Sequence, residues 1–181
     1  MSYTDTDRVY DELLVISVRA GDRRAAERLA ARWHPRLLRA ATRILGHVEQ
    51  GQDATQEAWA AISASWVRLE DPRRFPAWAY AILHRKCVDV QRRLVRDRDG
   101  HTQMTHIPGT VQGAGQADHT AINAAFLSLT PDHRVIAVLY FAEGLSLLEI
   151  SRALTVPVGT VKSRLFNARQ QLKTILEREK T

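Results

Sequence analysis

The chain has 181 residues, of which 45% are apolar, enough for one domain or two small ones and too many for a disordered chain. Lysine and arginine number 26 against 20 acidic residues, and the net charge of +6 favours a polyanionic partner. Cys87 is the single cysteine, which excludes an internal disulfide and a zinc site built from several cysteines. No apolar run approaches the roughly 20 residues that cross a bilayer, and the polar N-terminal segment resembles neither a signal nor a transit peptide. We therefore expect a cytoplasmic protein without membrane insertion.

Helical periodicity fills two blocks, which are separated by a stretch of different composition. Within the first block, turn-forming segments predict interruptions of the helices. These segments lie at 20–22, 33–35, 45–53 and 70–76. Between the blocks, residues 95–119 are rich in Gly, Gln, Asp and Thr, a composition typical of a flexible linker. The sequence predicts an all-α fold of two small helical domains, at 1–94 and 121–181, joined by a flexible linker at 95–120.

The second block has the local signals of a helix-turn-helix. Thr130 and Pro131 fit an N-cap followed by the first helical position, and Gly144 fits a helix stop. Ser146 and Glu149 have the spacing of a capping box at the start of a short helix. After a tight turn, a longer helix with a polar outer face follows. This arrangement is typical of a helix-turn-helix whose second helix enters a DNA major groove.

The longer helix begins in LTVPVGTVKSRLFNAR, in which apolar residues recur at steps of three and four and predict one buried face. Phe166 falls outside that face, beside Ser163 and Asn167, where base edges would lie. The alternative is an ordinary amphipathic helix with a solvated polar side. The cap, the turn, the outward aromatic and the flanking cations together favour DNA binding. The candidate DNA-contacting residues are Thr160, Lys162, Ser163, Arg164, Phe166, Asn167 and Arg169.

Four segments of the chain resemble one known family. GLSLLEISRALTVPVGTVKSRLFNARQQL closely resembles the −35-reading region of bacterial sigma factors, in particular the two-domain extracytoplasmic-function (ECF) group of the sigma-70 family. In the first block, HPRLLRAATRILG, DATQEAW and RFPAWAYAILHRKCVDVQRR resemble core-binding and −10-reading segments of that family. The resemblance implies a promoter-specific initiation factor that binds core RNA polymerase and promoter DNA. The sequence also lacks metal-binding histidine spacing, a Gly-rich phosphate loop and a G-x-S-x-G motif, so we expect no catalytic residues, metal or cofactor.

The acidic helix of the first block is the candidate polymerase contact. Asp53 and Glu57 lie one helical turn apart, with Gln56, on the side opposite the predicted buried stripe. A solvated acidic face is the alternative. The resemblance implies that Asp53, Gln56 and Glu57 bind the β′ clamp helices. The family often has further acids before this segment, whereas this chain has QGQ at 50–52, which predicts weaker docking or dependence on another signal.

The following helix is the candidate −10 reader. Its side opposite the predicted core carries an aromatic followed by arginines, a combination that suits single-stranded DNA. Packing of Trp78 against a neighbouring helix is the alternative. The resemblance implies −10 contacts from Arg74, Phe75, Trp78, Arg85, Asp89, Arg92 and Arg93. Ala81 and Arg85 stand where the family commonly has Arg and Asn, which predicts an unusual −10 preference.

The resemblance also implies partners beyond the β′ clamp: the β flap of the polymerase and an anti-sigma factor, or another regulator, wedged between the two domains. An active factor would be associated with the nucleoid. Two other hypotheses remain open at this point. One is a sigma-like protein that sequesters a regulator, favoured by the neutral segment at 50–52, and the other is a simple helix-turn-helix repressor.

Overall fold

The computed structural model describes residues 5–100 and 117–178, so most of the predicted linker lies outside the described residues. Within these ranges every regular element is helical, which confirms the all-α prediction. The helices are α1 (Asp5–Arg19), α2 (Arg23–Leu45), α3 (Val48–Ser63), α4 (Phe75–Gly100), α5 (Ala117–Leu127), α6 (Pro131–Ala137), α7 (Leu147–Leu154) and α8 (Val158–Arg178). We call α1 to α4 the N-terminal unit and α5 to α8 the C-terminal unit. None of the described helices is long and apolar enough to cross a membrane.

Helix α2 follows the break predicted at 20–22 and then continues through the one predicted at 33–35. Asp22 caps its start by accepting hydrogen bonds from the backbone N–H groups of Arg24 and Ala25, at 2.8 and 3.2 Å. Pro35 lies inside the helix, where a proline costs about 3 kcal/mol. Trp33 and Leu37 on either side are fully buried. Their packing outweighs the local preference of proline, and the prediction of a break there is wrong.

Helices α2 and α3 are joined by a much shorter connection than the predicted 45–53. Gly46 ends α2 in the left-handed region, at φ 84°, and its N–H donates to the carbonyl of Thr42 at 2.8 Å. Helix α3 begins at Val48. Its Gly51 is buried against α2, where a Cβ atom would stand 2.5 Å from Oγ1 of Thr42. The glycine therefore permits the close crossing of the two helices.

The core of the N-terminal unit is centred on Trp33. Its ring meets Phe75 edge-on, with the ring centroids 4.9 Å apart, and lies 5.7 Å from the Tyr80 ring. Its Nε1–H donates to Oδ2 of the buried Asp11 at 2.8 Å, and Nε of Arg32 donates to Oδ1 of the same carboxylate at 2.8 Å. A buried carboxylate is tolerated when it is paired in this way. The aromatic core thus fixes α1 and the start of α4 against α2.

The C-terminal unit has the predicted helix-turn-helix. Oγ of Ser146 accepts from the N–H of Glu149 at 3.3 Å, and the Glu149 carboxylate accepts from the N–H of Ser146 at 2.7 Å, which completes the capping box. Thr155 ends α7 in the left-handed region, at φ 56°. Thr130 precedes Pro131 at the start of α6, but its side chain makes no capping hydrogen bond. The turn after α7 presents α8 as a separate helix along the outside of the unit.

Both ends of the predicted linker are helical where the structure describes them. Helix α4 continues to Gly100, past the predicted domain end at residue 94, and α5 begins at Ala117. In the segment VRDRD, arginine favours a helix and Val and Asp disfavour it only modestly, so composition alone does not separate a solvated helix end from a linker. The two units pack directly on each other, with α7 against α4 and α5 against α2.

Candidate polymerase and nucleic-acid interfaces

The outer face of α8 is exposed as the periodicity predicts. Phe166 is 62% exposed, with Ser163 and Asn167 exposed on the same side. The face below is buried and consists of Val161, Leu165 and Ala168. An outward phenylalanine beside a hydroxyl and an amide can contact a thymine methyl and neighbouring base edges.

Two of the arginines around this face already have partners within the C-terminal unit. Nη2 of Arg164 lies 2.7 Å from Oδ2 of Asp132 in α6, and the guanidinium of Arg169 lies 5.7 Å from the centroid of the Phe141 ring. Lys162 is exposed on the same flank as Arg169. Sequence reasoning did not single out Asp132 and Phe141, because they belong to an earlier helical segment and contact α8 only in the folded unit.

Inside α8, the polar residues nearest its start are partly engaged with the backbone. Thr160 is half-buried, and the hydroxyl of Ser163 donates to the Thr160 carbonyl at 3.1 Å. The hydroxyl oxygen of Ser163 retains acceptor capacity in this arrangement. Thr160 therefore lies at the edge of the exposed face rather than at its centre.

The candidate −10 face on α4 is smaller than predicted. Arg85, Asp89, Arg92 and Arg93 are exposed along the helix, as expected. Phe75 has no exposed surface, because it packs in the Trp33 core, so its prediction as a DNA-contacting residue is corrected to a supporting core role.

Helix α4 is covered on two sides near its start. Ile82 lies one turn after Trp78, on the side of the helix that carries the arginines, and is only 6% exposed. Trp78 is half-buried in an aromatic cluster, with its ring centroid 6.3 Å from Trp66 and 6.1 Å from Phe75. The packing interpretation of Trp78 is therefore correct for part of its ring.

Asp71 binds both arginines of the loop that precedes α4. Asp71 accepts from the N–H of Arg73 at 3.1 Å and pairs with the guanidinium groups of Arg73 and Arg74 at 3.0 and 3.5 Å. The hydrogen bond from the Arg73 side chain is the main cause that lowers the pKa of Asp71. Arg74 remains 58% exposed in its side chain. The predicted Arg74 is thus at the surface, next to the start of α4.

The acidic face of α3 adjoins the basic face of α4. Glu57 lies 2.5 Å from Nη2 of Arg93 and 3.4 Å from Nζ of Lys86, whereas Asp53 and Gln56 are exposed. The hydrogen bond from Arg93 is the main cause that lowers the pKa of Glu57, and Lys86 adds to it. One carboxylate thus links a predicted polymerase contact with a predicted DNA contact.

An open cleft of about 840 Å³ runs beside this ion pair. It is lined by Glu57, Val88, Asp89, Gln91, Arg92, Arg93, Val95 and Arg96. Mixed charges around an apolar floor suit a macromolecular contact better than an enclosed small-molecule site. Within the described ranges no group of three or more metal-ligating side chains lies together.

The neutral segment before Asp53 has a partly steric explanation. A side chain at position 51 would collide with the Thr42 backbone nitrogen at 2.9 Å as well as with its hydroxyl. Gly51 is therefore required by the crossing of α2 and α3, whatever the partner of this face. Gln52 is exposed, so an acid at that position would reach the surface.

Comparison with known proteins agrees with this geometry. Residues 29–97 match the family model for Sigma-70 region 2, and residues 119–172 match that for Sigma-70, region 4. The ECF RNA polymerase sigma factor SigE of Mycolicibacterium smegmatis is 33% identical over 148 residues, which span 78% of this chain and 57% of that one. The chain belongs to the ECF group of the sigma-70 family.

Other relatives cover this ECF sigma factor more completely. The ECF RNA polymerase sigma factor SigW of Bacillus subtilis is 27% identical over 171 residues, 86% of this chain and 91% of that one. The sigma factor RpoE of Bartonella quintana, solved in complex with the anti-sigma factor NepR, has the same fold, with a TM-score of 0.70 and 24% identity. That match covers 83% of this chain and 96% of RpoE. The candidate residues on α3 and α4 fall within the region 2 match, and those on α8 fall within the region 4 match.

Proposed function

We propose that this ECF sigma factor divides promoter-specific transcription initiation between two surfaces on its two units. Residues 1–94 would bind core RNA polymerase and the −10 element, and residues 121–181 would bind the −35 duplex. The outward face of α8 is the observation that carries the proposal. Its phenylalanine stands among polar side chains and flanking cations, within the segment that matches region 4.

The −35 contact rests on the chemistry of the α8 face. Asn167 pairs well with adenine in a major groove, and Phe166 packs on a thymine methyl. Lys162 and Arg169 suit phosphates on one side of the groove, and Arg164 suits those on the other. For Arg164 this contact competes with Asp132 at 2.7 Å, so DNA phosphates would replace an existing ion pair.

The −10 contact rests on the exposed cations of α4. Arg85, Arg92 and Arg93 follow the helix, with the half-buried Trp78 near its start. Cations that track phosphates beside an aromatic ring favour an opened strand over a duplex. Binding energy for the separated strand would then drive melting without hydrolysis, and the factor would need no catalytic residues of its own.

The polymerase contact rests on the acidic end of α3. Asp53 and Gln56 are exposed, so a basic partner surface can reach them directly. Glu57 is held by Lys86 and Arg93, so it would have to exchange those cations for cations of the partner. Binding of the polymerase β′ clamp would thereby free Arg93 for the −10 strand.

The remaining partners follow from the family. We propose contact of the C-terminal unit with the β flap, and control by an anti-sigma factor or another regulator, as RpoE is bound by NepR. The proposed place of action is the cytoplasm, with association with the nucleoid during initiation. The region 2 match disfavours a simple repressor, which would have no use for that unit.

The direct test is run-off transcription with core enzyme and a library of promoters, combined with a pull-down of the core enzyme. Asp53→Ala should weaken core binding and leave binding of a −35 duplex unchanged, because the two surfaces lie on different units. Glu27→Gln is the matched control, since Glu27 is an exposed acid on α2 outside both surfaces. Absence of core binding under all conditions would overturn the proposal.

A further inference from the structure

A buried carboxylate of the C-terminal unit is held by side chains of the N-terminal unit. Glu143 follows the π-helical turn after α6, directly before Gly144, and is 4% exposed. Its Oε2 accepts a hydrogen bond from the hydroxyl of Tyr80 in α4 and lies 3.7 Å from Nη2 of Arg36 in α2. Its Oε1 lies 3.8 Å from Nη1 of Arg43 in α2.

Two partners of this carboxylate, Tyr80 and Arg43, are themselves shielded from water. Burial, followed by the charge of Glu143, raises the pKa of Tyr80 well above its ordinary value. Burial also lowers the pKa of Arg43, against the opposing effect of Glu143. A carboxylate without partners in such surroundings would be strongly unfavourable, and removing one partner of a buried pair is strongly destabilising. The three partners of Glu143 are present only while the two units are packed together.

A second inter-unit contact joins two helix ends through one guanidinium. Nη1 of Arg134 donates to the carbonyl of Ile44 in α2 at 3.2 Å. Its other nitrogens donate to the carbonyls of Phe126, Leu127 and Leu129 at 3.1, 2.6 and 3.0 Å. The last carbonyls of a helix lack partners within it and attract cations. Arg134 therefore completes the C-terminal end of α5 and that of α2 together.

Two further polar pairs extend the contact. Nη1 of Arg8 lies 2.9 Å from Oε1 of Glu149 at the start of α7. Nε of Arg43 donates to Oδ1 of Asn123 in α5 at 3.0 Å. The contact between the units thus combines these polar pairs with apolar packing, because one continuous cluster of buried apolar side chains includes residues of both units.

The packed arrangement is too small for a whole promoter. The −10 and −35 elements are centred 25 base pairs apart, or roughly 85 Å of duplex at 34 Å per ten base pairs. A compact chain of this length has a radius of gyration of about 16 Å and a diameter of about 40 Å. The exposed faces of α4 and α8 can each reach DNA in this arrangement, but they cannot reach both elements at once.

We propose that the free protein adopts a closed state, in which the Glu143 carboxylate locks the two units together by inserting between Tyr80, Arg36 and Arg43. This closed state must open before the protein can bind both promoter elements. The lock itself stands on the geometry, and its consequence for promoters rests on the proposed function. Closure removes the gain in effective concentration that two linked contacts provide, while each separate contact keeps its own affinity. Opening should therefore strengthen binding to a probe with both elements and leave binding to the −35 duplex unchanged.

The first measurement is the distance between spin labels on the two units. Labels are placed at the exposed positions of Ser63→Cys and Gln171→Cys in a Cys87→Ala background. The wild-type protein should give a single short distance between the labels, and Glu143→Gln should add a population with a longer distance. Glu27→Gln, an exposed acid on α2, should keep the wild-type distance.

The second measurement compares two DNA probes, a −35 duplex and a longer probe with a single-stranded −10 element. We expect Glu143→Gln to gain about tenfold or more on the longer probe and to be unchanged on the duplex. Tyr80→Phe removes only the hydroxyl and should shift both readouts in the same direction. If Glu143→Gln loses helical content, the Tyr80→Phe variant alone tests the lock.

Separated labels in the wild type, or wild-type distances in both folded lock variants, would overturn the lock. A gain on both probes would also overturn it, because that result reports a change in the −35 contact itself. Failure of the proposed function would look different. In that case the labels would still move apart, but no variant would bind core enzyme or either probe.

Discussion

Replacement of Phe166 by alanine tests the DNA-reading surface most directly. The ring is 62% exposed, so its removal leaves the core of the unit intact. A phenylalanine carries roughly 200 Å² of surface, of which about 120 Å² is therefore open to a partner. Contact with a thymine methyl over half of that area, at about 25 cal/mol per Å², contributes about 1.5 kcal/mol. The expected loss of affinity is about tenfold.

The assay is binding and run-off transcription by core enzyme loaded with Phe166→Ala. One promoter keeps its −35 element, and a second has that element replaced. The loss should appear on the first promoter only, with core binding unchanged. Ile122→Ala, which truncates a 46% exposed apolar residue on α5, serves as the control. An equal loss on both promoters, no loss on either, or loss of core binding would refute the reasoning.

Three further predictions concern stability and reactivity. Gly46→Ala should lower the urea midpoint of unfolding more than Gly21→Ala. Both glycines have positive φ, but only at Gly46 would an added Cβ atom approach a neighbour, the Leu127 side chain at 2.9 Å. Equal midpoints would rule out that contact. Burial raises the pKa of Cys87 to about 12, so alkylation at pH 8 should be slow until the protein is unfolded, and rapid reaction of the folded protein would contradict this. Burial raises the pKa of Glu149, but its capping hydrogen bonds and ion pair outweigh burial and lower it below 4.5. The stability difference between wild type and Glu149→Gln should therefore hold from pH 7 to about 5 and shrink as the pH falls through the lowered pKa; a constant difference in urea unfolding would refute this.

The helix-turn-helix could be predicted in detail because its signals are local. The capping box of Ser146 and Glu149 needs only residues three apart, and both of its hydrogen bonds are present. The outward position of Phe166 follows from helical periodicity within one element, and the ring is exposed as expected. Such features depend on a few neighbouring residues, which a single sequence displays completely.

Features that depend on distant packing could not be predicted in the same way. Pro35 signals a helix break locally, but Trp33 and Leu37 are buried on either side and keep α2 continuous. Phe75 is a predicted DNA contact and Ile82 lies on the arginine-bearing side of α4, but both are buried because neighbouring elements cover a second side of that helix. Helical periodicity identifies the most apolar face, and it does not show how many sides of a helix are covered.

The contact between the units is the feature least visible in the sequence, and its chemistry explains why. Tyr80 and Glu143 are 63 residues apart, and Arg8 and Glu149 are 141 residues apart, so no local pattern links either pair. Read alone, Glu143 is an ordinary acid at the end of a helix, before a glycine. Apolar packing also joins the units, but water can replace each of these polar contacts when the units separate. The same residues that are unremarkable in the sequence are therefore the ones that can hold the closed state reversibly.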